Sequence, residues 1–349
     1  MSKIINTNIP NQKGFQLIDN LIEDSKCKPW IDNTINVFTS IYNIIYLIYV
    51  NKKNSIIFYN LIIKKKINEI KNAHDKPILN FRHFLDKINY RDLILTISSD
   101  DSNIKIWNFN NLECIVDIKN INGIGYLYSA YFLHDRDDNK IYIISSNCCW
   151  NDSSKPIKIF DFNGNKIKEL NNSNYRTFFI DNYYDDKLNN NYIIAGCHHS
   201  VKSYDYNKNQ LYKAYSDDDE DEDEDEETDN NNDHYSIIIK NIDEIIKIFE
   251  SSCDGNVRIW NFHSGLLLNK IKIGDSWLKG ICLSDNDYLF VASVDSSITF
   301  IDLKNSKIIQ DFKIHKDLVL TIKEFIHPKY GKCFISHGNN EIKLWTYKR

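Results

Sequence analysis

The sequence has little glycine, little proline and no long apolar run. Only 11 of its 349 residues are glycine and 5 are proline. Asparagine is frequent between the apolar segments, and because it tolerates the left-handed backbone region better than most residues, we expect it to occupy many turns. The most apolar segment, residues 41–50, is far shorter than a membrane-spanning helix of about 20 residues, so it predicts a buried strand.

The first residues, MSKIINTNIPNQKGF, carry no apolar run of signal-peptide length. The eight cysteines do not form a small disulfide framework, and a chain of this length does not need one. We therefore expect reduced cysteines and an intracellular protein, either cytoplasmic or nuclear. The chain has no phosphate-binding glycine loop, no HExxH and no nucleophile elbow, so no cofactor and no catalytic residue is predicted.

The charge of the chain is unevenly distributed. It carries 43 basic and 48 acidic residues, a net charge of −5. Residues 217–233 contain 13 of the acidic residues and no Lys or Arg, so the remainder, with 43 basic and 35 acidic residues, carries +8. The segment 216–233 (SDDDEDEDEDEETDNNND) also lacks apolar residues. Because like charges repel, it predicts a disordered loop.

A short pattern recurs along the chain and sets its organisation. SSDDSNIKIWNF (98–109) returns as SSCDGNVRIWNF (251–262), each with an Asp six residues before a Trp. Weaker copies place another large residue at the Trp position, usually followed by Asn or Asp. The seven positions are 41 to 56 residues apart and comprise Tyr59, Trp107, Phe160, Tyr204, Trp260, Ile301 and Trp345. Repetition at this spacing predicts an array of similar structural units.

These repeats resemble those of the WD-repeat, or beta-transducin-like, propeller family, whose units run about 40–45 residues and end in Trp-Asp. The resemblance covers nearly the whole chain and implies an all-β fold, a seven-bladed β-propeller of four-stranded blades. Short strands separated by turn signals suit that fold. A β-sandwich, the alternative all-β arrangement, does not explain a repeat near 48 residues.

One end of the chain has a strand without a sheet, and the other end has a blade without its fourth strand. Residues 14–24 predict a strand without neighbouring strands, and the last repeat stops directly after its Trp strand. We expect the N-terminal strand to complete the last blade, because closing the ring removes exposed sheet edges. The predicted organisation is a flexible segment 1–13 and one propeller 14–349, with the loop 216–233 inserted between blades four and five.

In well-formed repeats of this family, a His, the Asp of a tight turn, a Ser or Thr and the Trp form a hydrogen-bonded set. Buried imidazole and indole groups need such partners, and the set recurs, so we interpret it as structural rather than as a catalytic triad. Asn in place of Asp keeps a hydrogen bond but not the charge, so blade seven should be weaker. In the order His, turn residue, Trp, the resemblance predicts His74, Asp101 and Trp107 in blade two; His234, Asp254 and Trp260 in blade five; and His315, Asn339 and Trp345 in blade seven.

Cysteines and histidines follow the second strands of two adjacent blades. A cluster of this kind could bind zinc, but the spacing matches no zinc motif, and small buried cysteines are common at strand ends. The sequence therefore predicts no metal and leaves the question open for Cys148, Cys149, Cys197, His198 and His199.

Propellers of this family mostly act as recognition platforms, and the resemblance places their contacts on the top face, where the first strand of each blade begins. Binding energy at such surfaces concentrates in a few aromatic and Arg residues. A partner with a Lys/Arg-rich segment would suit aromatic residues beside an acidic loop. The loop could instead be a solubilising insert or fold over the basic remainder. The implied partner-binding positions are Trp277, Lys279, Tyr126, Tyr128, Tyr175, Trp150, Leu318 and Leu320.

The predicted function is a non-enzymatic scaffold or adaptor, a monomer within a larger complex, with no direct nucleic-acid partner. One alternative, a phosphoinositide or membrane-surface binder, rests on the basic remainder. The Phe-Arg-Arg-Gly motif of such propellers is absent, and the only tight basic run, 64–66, predicts a solvated turn. A propeller hydrolase or lyase would need polar residues converging on the central channel, whereas ILNFRHF (78–84) and LVLTIKEF (318–325) are mainly apolar. The Trp-Asp-x-Arg motif of propellers that dock to the cullin-4 ligase adaptor is also absent.

Overall fold

A computed structural model of the chain describes residues 14–22, 35–98, 100, 102–119, 121, 126–146, 156–170, 176–217, 233–339 and 341–347. In this part of the chain, 28 strands form seven four-stranded antiparallel sheets. The first strands of successive sheets contact one another around a closed ring. The predicted seven-bladed propeller is confirmed. Among the described residues, no helix is long and apolar enough to cross a membrane.

Blades one to six each run in chain order from an inner first strand to an outer fourth strand. Blade one contains β2 (Ile35–Thr39), β3 (Ile45–Val50), β4 (Ile56–Asn60) and β5 (Lys65–Ile70). Blade two contains β6 (Ile78–Asp86), β7 (Arg91–Ser98), β8 (Asn103–Asn108) and β9 (Glu113–Ile118). Blade three contains β10 (Ala130–Asp135), β11 (Lys140–Ser145), β12 (Ile157–Phe160) and β13 (Lys166–Leu170).

The second half of the ring follows the same order. Blade four contains β14 (Thr177–Asp185), β15 (Asn190–Cys197), β16 (Val201–Asp205) and β17 (Gln210–Tyr215). Blade five contains β18 (His234–Ile242), β19 (Ile245–Ser252), β20 (Asn256–Asn261) and β21 (Leu267–Lys272). Blade six contains β22 (Leu278–Ser284), β23 (Tyr288–Ser293), β24 (Ile298–Asp302) and β25 (Lys307–Phe312).

Blade seven is completed by the N-terminal strand, as predicted. It contains β26 (Val319–His327), β27 (Gly331–Gly338) and β28 (Glu341–Tyr347), and β1 (Phe15–Ile22) pairs with β28 as the outer strand. The Phe15 ring lies 5.4 Å from the buried Trp345 ring and 5.8 Å from that of Phe312 in blade six. The two ends of the chain are therefore joined by backbone pairing and by an aromatic contact.

The hydrophobic core is divided among the interfaces between blades. Seven apolar clusters are present in the described residues, and each joins two neighbouring blades, including blades seven and one. Strands inside a propeller are covered on both faces, which explains why segments such as 45–50 read as continuous apolar runs. The ring is held together by sheet-to-sheet packing, so it needs each blade to complete two interfaces.

Asparagine does take many of the turns, as the scarcity of glycine indicated. Non-glycine residues with positive φ include seven asparagines, at positions 43, 54, 72, 139, 189, 209 and 286. Asparagine reaches this backbone region at lower cost than most residues. Gly255 is a turn position that only glycine fits, because its φ is +75° and an added Cβ would lie 1.9 Å from the Gly274 carbonyl oxygen.

Candidate functional site

Three members of the predicted hydrogen-bonded set, a His, a Thr and the Trp, are bonded to one another in blade two. His74 Nε2 lies 2.8 Å from Thr96 Oγ1, and the same hydroxyl accepts a 2.9 Å hydrogen bond from Trp107 Nε1. Burial lowers the pKa of His74 to about 3, so the imidazole is neutral near neutral pH. These hydrogen bonds link His74, just before the first strand, to the second and third strands. The turn residue Asp101 lies outside the described residues.

Blade seven contains the same series of hydrogen bonds, but an unexpected residue supplies the carboxylate. His315 Nε2 lies 2.6 Å from Ser336 Oγ, which accepts a 3.0 Å bond from Trp345 Nε1. Asn339, predicted to replace the Asp, donates to Asp317. Glu341, two residues later, places Oε1 3.0 Å from His315 Nδ1. Glu341 therefore supplies a carboxylate beside His315 that Asn339 does not, and a weaker blade seven stays a prediction.

Blade five departs from the predicted set. Glu250 occupies the position of Thr96 and Ser336, and its Oε2 lies 3.2 Å from His234 Nδ1. Asp254 instead receives a 2.6 Å hydrogen bond from Arg258 Nη2. The Trp260 indole N–H has no hydrogen-bond partner in the described part of the chain. The prediction for blade five was wrong because one substitution, Ser or Thr to Glu, changes the partners of all the other members.

The entry of the first strand carries a β-bulge in five blades. The register of pairing shifts across one residue there, and the equivalent bulge residues are Leu79, Phe178, Tyr235, Lys279 and Leu320. A bulge re-aims a side chain relative to the sheet. In blades four, five and six these side chains contact a bulge residue of a neighbouring blade, Phe178 with Tyr235 and Tyr235 with Lys279. They lie at the top face, where the first strands begin.

Five aromatic residues form a continuous row across blades three to six, which we call the aromatic arc: Tyr126, Tyr128, Phe178, Tyr235 and Trp277. The Tyr126 and Tyr128 rings are 6.3 Å apart, and Tyr128 to Phe178 and Phe178 to Tyr235 are each 5.4 Å. Lys279 bridges the last step, with its ammonium 3.1 Å from the Tyr235 ring centroid and 5.4 Å from that of Trp277. Tyr126 is 39% exposed, and the other four are half-buried.

The structure brings together three of the predicted contact residues and separates others. Tyr126, Tyr128 and Trp277 belong to the arc. Lys279 and Leu320 were predicted as contacts, but both are fully buried by the bulge, so they support the surface from beneath. Leu318 is half-buried beside blade seven, and Trp150 and Tyr175 lie outside the described residues. Phe178 and Tyr235 were missed, although aligning the strand entries would have identified them.

One end of the acidic segment is bonded to the arc, and the other end is bonded to the outer strands of blade five. Asp217 lies 2.9 Å from Arg258 Nε and 2.5 Å from Lys270 Nζ. Asp233 accepts a 2.9 Å hydrogen bond from the Tyr235 hydroxyl and lies 2.6 Å from His198 Nδ1. Residues 218–232, including 11 acidic residues, lie outside the described part of the chain. The described ends of the segment, Asp217 and Asp233, therefore contact blades five and four and the arc residue Tyr235.

The Cys and His residues considered for zinc are only partly described. Cys197 is buried with its sulfur 3.8 Å from the Thr177 hydroxyl, and His198 contacts Asp233. Cys148 and Cys149 lie outside the described residues. Among the residues that are described, no three His, Cys, Asp or Glu side chains are grouped so that they could hold a metal ion, and no cysteine forms a disulfide.

The central channel is more polar than its strands suggested. Arg82, Tyr131, Asp181, Lys323 and Glu324 line a cavity of about 570 Å³ in the channel. The prediction of a mainly apolar channel was wrong, because the polar residues of ILNFRHF and LVLTIKEF line the cavity: Arg82 and His83 in the first, Lys323 and Glu324 in the second.

Searches of known protein families and of curated proteins return no match to this sequence.

Proposed function

We propose that this chain is a WD-repeat-type propeller that acts as a non-enzymatic interaction scaffold and binds a protein partner through the aromatic arc. The observation that carries the proposal is the continuity of the arc over four adjacent blades. Aromatic side chains supply large contact area and dominate the energetics of protein interfaces. The His–Ser/Thr–Trp chains of blades two and seven support membership of that type of propeller.

The acidic segment favours a partner with a Lys/Arg-rich segment. Its last residue, Asp233, is bonded to the hydroxyl of Tyr235, which is a member of the arc. A basic segment lying along the arc would therefore meet aromatic faces suited to cation–π contacts and the carboxylate of Asp233, which ends a segment with 13 acidic residues. Electrostatic complementarity of this kind accelerates association and selects the partner, and added salt weakens it.

A lipid-binding function gains less support. Within the basic run 64–66, Lys64 lies 2.7 Å from Asp19 and Lys66 lies 2.6 Å from Glu69. Two of the three cations are thus paired with carboxylates of the chain itself. This pairing reduces the positive charge that the run could offer to an anionic lipid headgroup.

Affinity purification from cells, with partners quantified by mass spectrometry, tests the proposal. The intact chain is compared with Trp277→Ala, Tyr126→Ala and a deletion of 218–232. Tyr42→Ala is the matched control, because Tyr42 is a 60% exposed tyrosine in the turn between β2 and β3, on the opposite face. We expect one set of proteins to be lost with the arc variants and the deletion and retained with Tyr42→Ala. Partners that persist through all top-face changes would contradict the proposal.

A further inference from the structure

Seven register-equivalent residues, one from each first strand, form a single layer of the central channel. In each blade, the residue at the Trp position pairs with a residue of the second strand, and that residue pairs with one of the first strand. The member of the layer directly precedes this first-strand residue. All seven line the cavity. In order from blade one to blade seven they are Asn36, Arg82, Tyr131, Asp181, Ile238, Cys282 and Lys323. The members from blades seven, one, two, three and four have polar side chains. The members from blades five and six, Ile238 and Cys282, complete the ring.

Arg82 is the member of this layer with unused hydrogen-bonding capacity. The residue is only 8% exposed, and its guanidinium lies 5.2 Å from the Tyr131 ring centroid and 5.6 Å from that of Phe179. Nη1 donates to the Phe81 carbonyl, but Nε has no acceptor among the described residues. A buried charged donor without a partner is costly, and a ligand in the channel would remove that cost.

The charges around the layer leave an excess of positive charge beside Arg82. Lys323 is half-buried, and burial together with the charge of Arg82 lowers its pKa. Two lining carboxylates, Glu324 and Asp285, are both paired with Lys332, which leaves Asp181 as the carboxylate within the layer. The Asp181 carboxylate accepts a hydrogen bond from the Tyr131 hydroxyl and one from its neighbour's backbone N–H.

We propose that the channel binds a small organic oxyanion, a carboxylate or a phosphate monoester with an apolar body. The oxyanion would lie on Arg82 and Lys323, and the apolar body would lie against Ile238 and Cys282, which stand opposite blade two in a seven-membered ring. A planar guanidinium matches carboxylate and phosphate oxygens geometrically. A cavity of about 570 Å³ is within the usual range for small-molecule sites. This site is separate from the aromatic arc and does not depend on the proposed function.

Asp181 makes the proposed binding sensitive to pH. Burial raises its pKa to about 6, even though the charges of Arg82 and Lys323 oppose the shift. The other ionisable groups that face it are Tyr131 on β10 and, lining the same cavity, His83 on β6, Lys240 on β18, Cys282 on β22, Asp285 in the turn after β22 and Glu324 on β26. His83 is paired with Asp92 of its own blade and Asp285 with Lys332. Protonation of Asp181 below pH 6 removes the negative charge of the layer, so an oxyanion should bind more tightly as the pH falls from 7.5 to 5.5.

Titration calorimetry and saturation-transfer NMR with the full chain test this site, using benzoate, phenyl phosphate and the neutral analogue benzyl alcohol as probes. We expect at least one anionic probe to bind and benzyl alcohol not to bind. The probe that binds identifies the oxyanion as a carboxylate or a phosphate. Arg82→Gln should weaken binding by about tenfold to a hundredfold, as expected for loss of a charged hydrogen bond, and Lys323→Gln provides a second variant if Arg82→Gln fails to fold.

Arg136→Gln is the matched control, since this guanidinium is exposed and lies 3.7 Å over the Tyr184 ring, outside the cavity. It should leave the affinity unchanged. For benzoate, Asp181→Asn should abolish the tightening between pH 7.5 and 5.5. Failure of both anionic probes to bind, equal binding of benzyl alcohol, or equal loss in Arg136→Gln would each overturn the proposal.

Discussion

His234 Nδ1 lies 3.2 Å from Glu250 Oε2 inside blade five, whereas His74, at the equivalent position of blade two, faces the hydroxyl of Thr96. The neighbouring carboxylate reverses the behaviour of the imidazole. Burial disfavours the charged form at both sites, but at His234 the charge of Glu250 overrides burial and raises the pKa. At His74 burial dominates, and the pKa falls to about 3. One structural position therefore holds a His with a raised pKa in one blade and a His with a lowered pKa in another.

These opposite shifts predict opposite pH dependences of stability. A His with a raised folded-state pKa stabilises the fold below its unfolded pKa of about 6.5, and this contribution is lost as the pH rises through the folded value. For His74 the folded value is lower, so stability is lost as the pH falls below about 6.5. The melting temperature of His234→Gln should therefore approach that of the intact chain as the pH rises from 6 to 9. The melting temperature of His74→Gln should approach that of the intact chain as the pH falls from 7 to 5. Differences that do not change with pH would contradict both assignments.

The Trp residues of the same two blades differ in their hydrogen bonds. Trp107 donates to Thr96, whereas the Trp260 N–H has no partner among the described residues. Replacement by Phe removes the indole N–H and some volume at both sites, but only Trp107→Phe removes a hydrogen bond. We expect Trp107→Phe to cost about 1 kcal/mol more than Trp260→Phe, measured by denaturant unfolding. An equal or greater cost at Trp260 would argue against this difference between the blades.

Closure of the ring predicts a strong effect of the N-terminal strand. Phe15 packs on Trp345 and Phe312 across the junction of blades six and seven. Because Phe15 is only half-buried, we expect Phe15→Ala to cost about 2–3 kcal/mol, somewhat less than a fully buried Phe. Gln16→Ala, an exposed neighbour on the same strand, should cost little. Deleting residues 1–24 should lower the melting temperature by many degrees, and an unchanged value would contradict closure by this strand.

The fold could be predicted from the sequence because it depends on repeated features. The Trp-position spacing, the apolar strands and the Asn turns all recur, so an unclear copy such as Ile301 is interpreted from its neighbours. The hydrogen-bonded chains of blades two and seven were predictable in outline for the same reason. Closure by a strand within residues 14–24 followed from a missing strand at one end and a surplus strand at the other, and the structure places that strand at Phe15–Ile22.

The site was less predictable because it depends on departures from the repeat. Glu341 lies two residues from the expected turn position, and Glu250 changes the partners of His234 through its length and charge. The bulges at the strand entries of five blades are not visible in the sequence, although the one in blade six buries Lys279 under Tyr235. The charged layer of the channel requires the register of seven strands, which no single strand reveals.

The most direct test of the central claim is the dissociation constant between the purified chain and a purified partner captured by it, compared for Tyr126→Ala and Tyr42→Ala. Both changes remove an exposed tyrosine, one from the aromatic arc and one from the opposite face. We predict that Tyr126→Ala weakens binding by about fivefold or more, as for a contributing interface aromatic, and that Tyr42→Ala leaves it unchanged. The reverse pattern, or no effect of either change, would contradict binding through the aromatic arc.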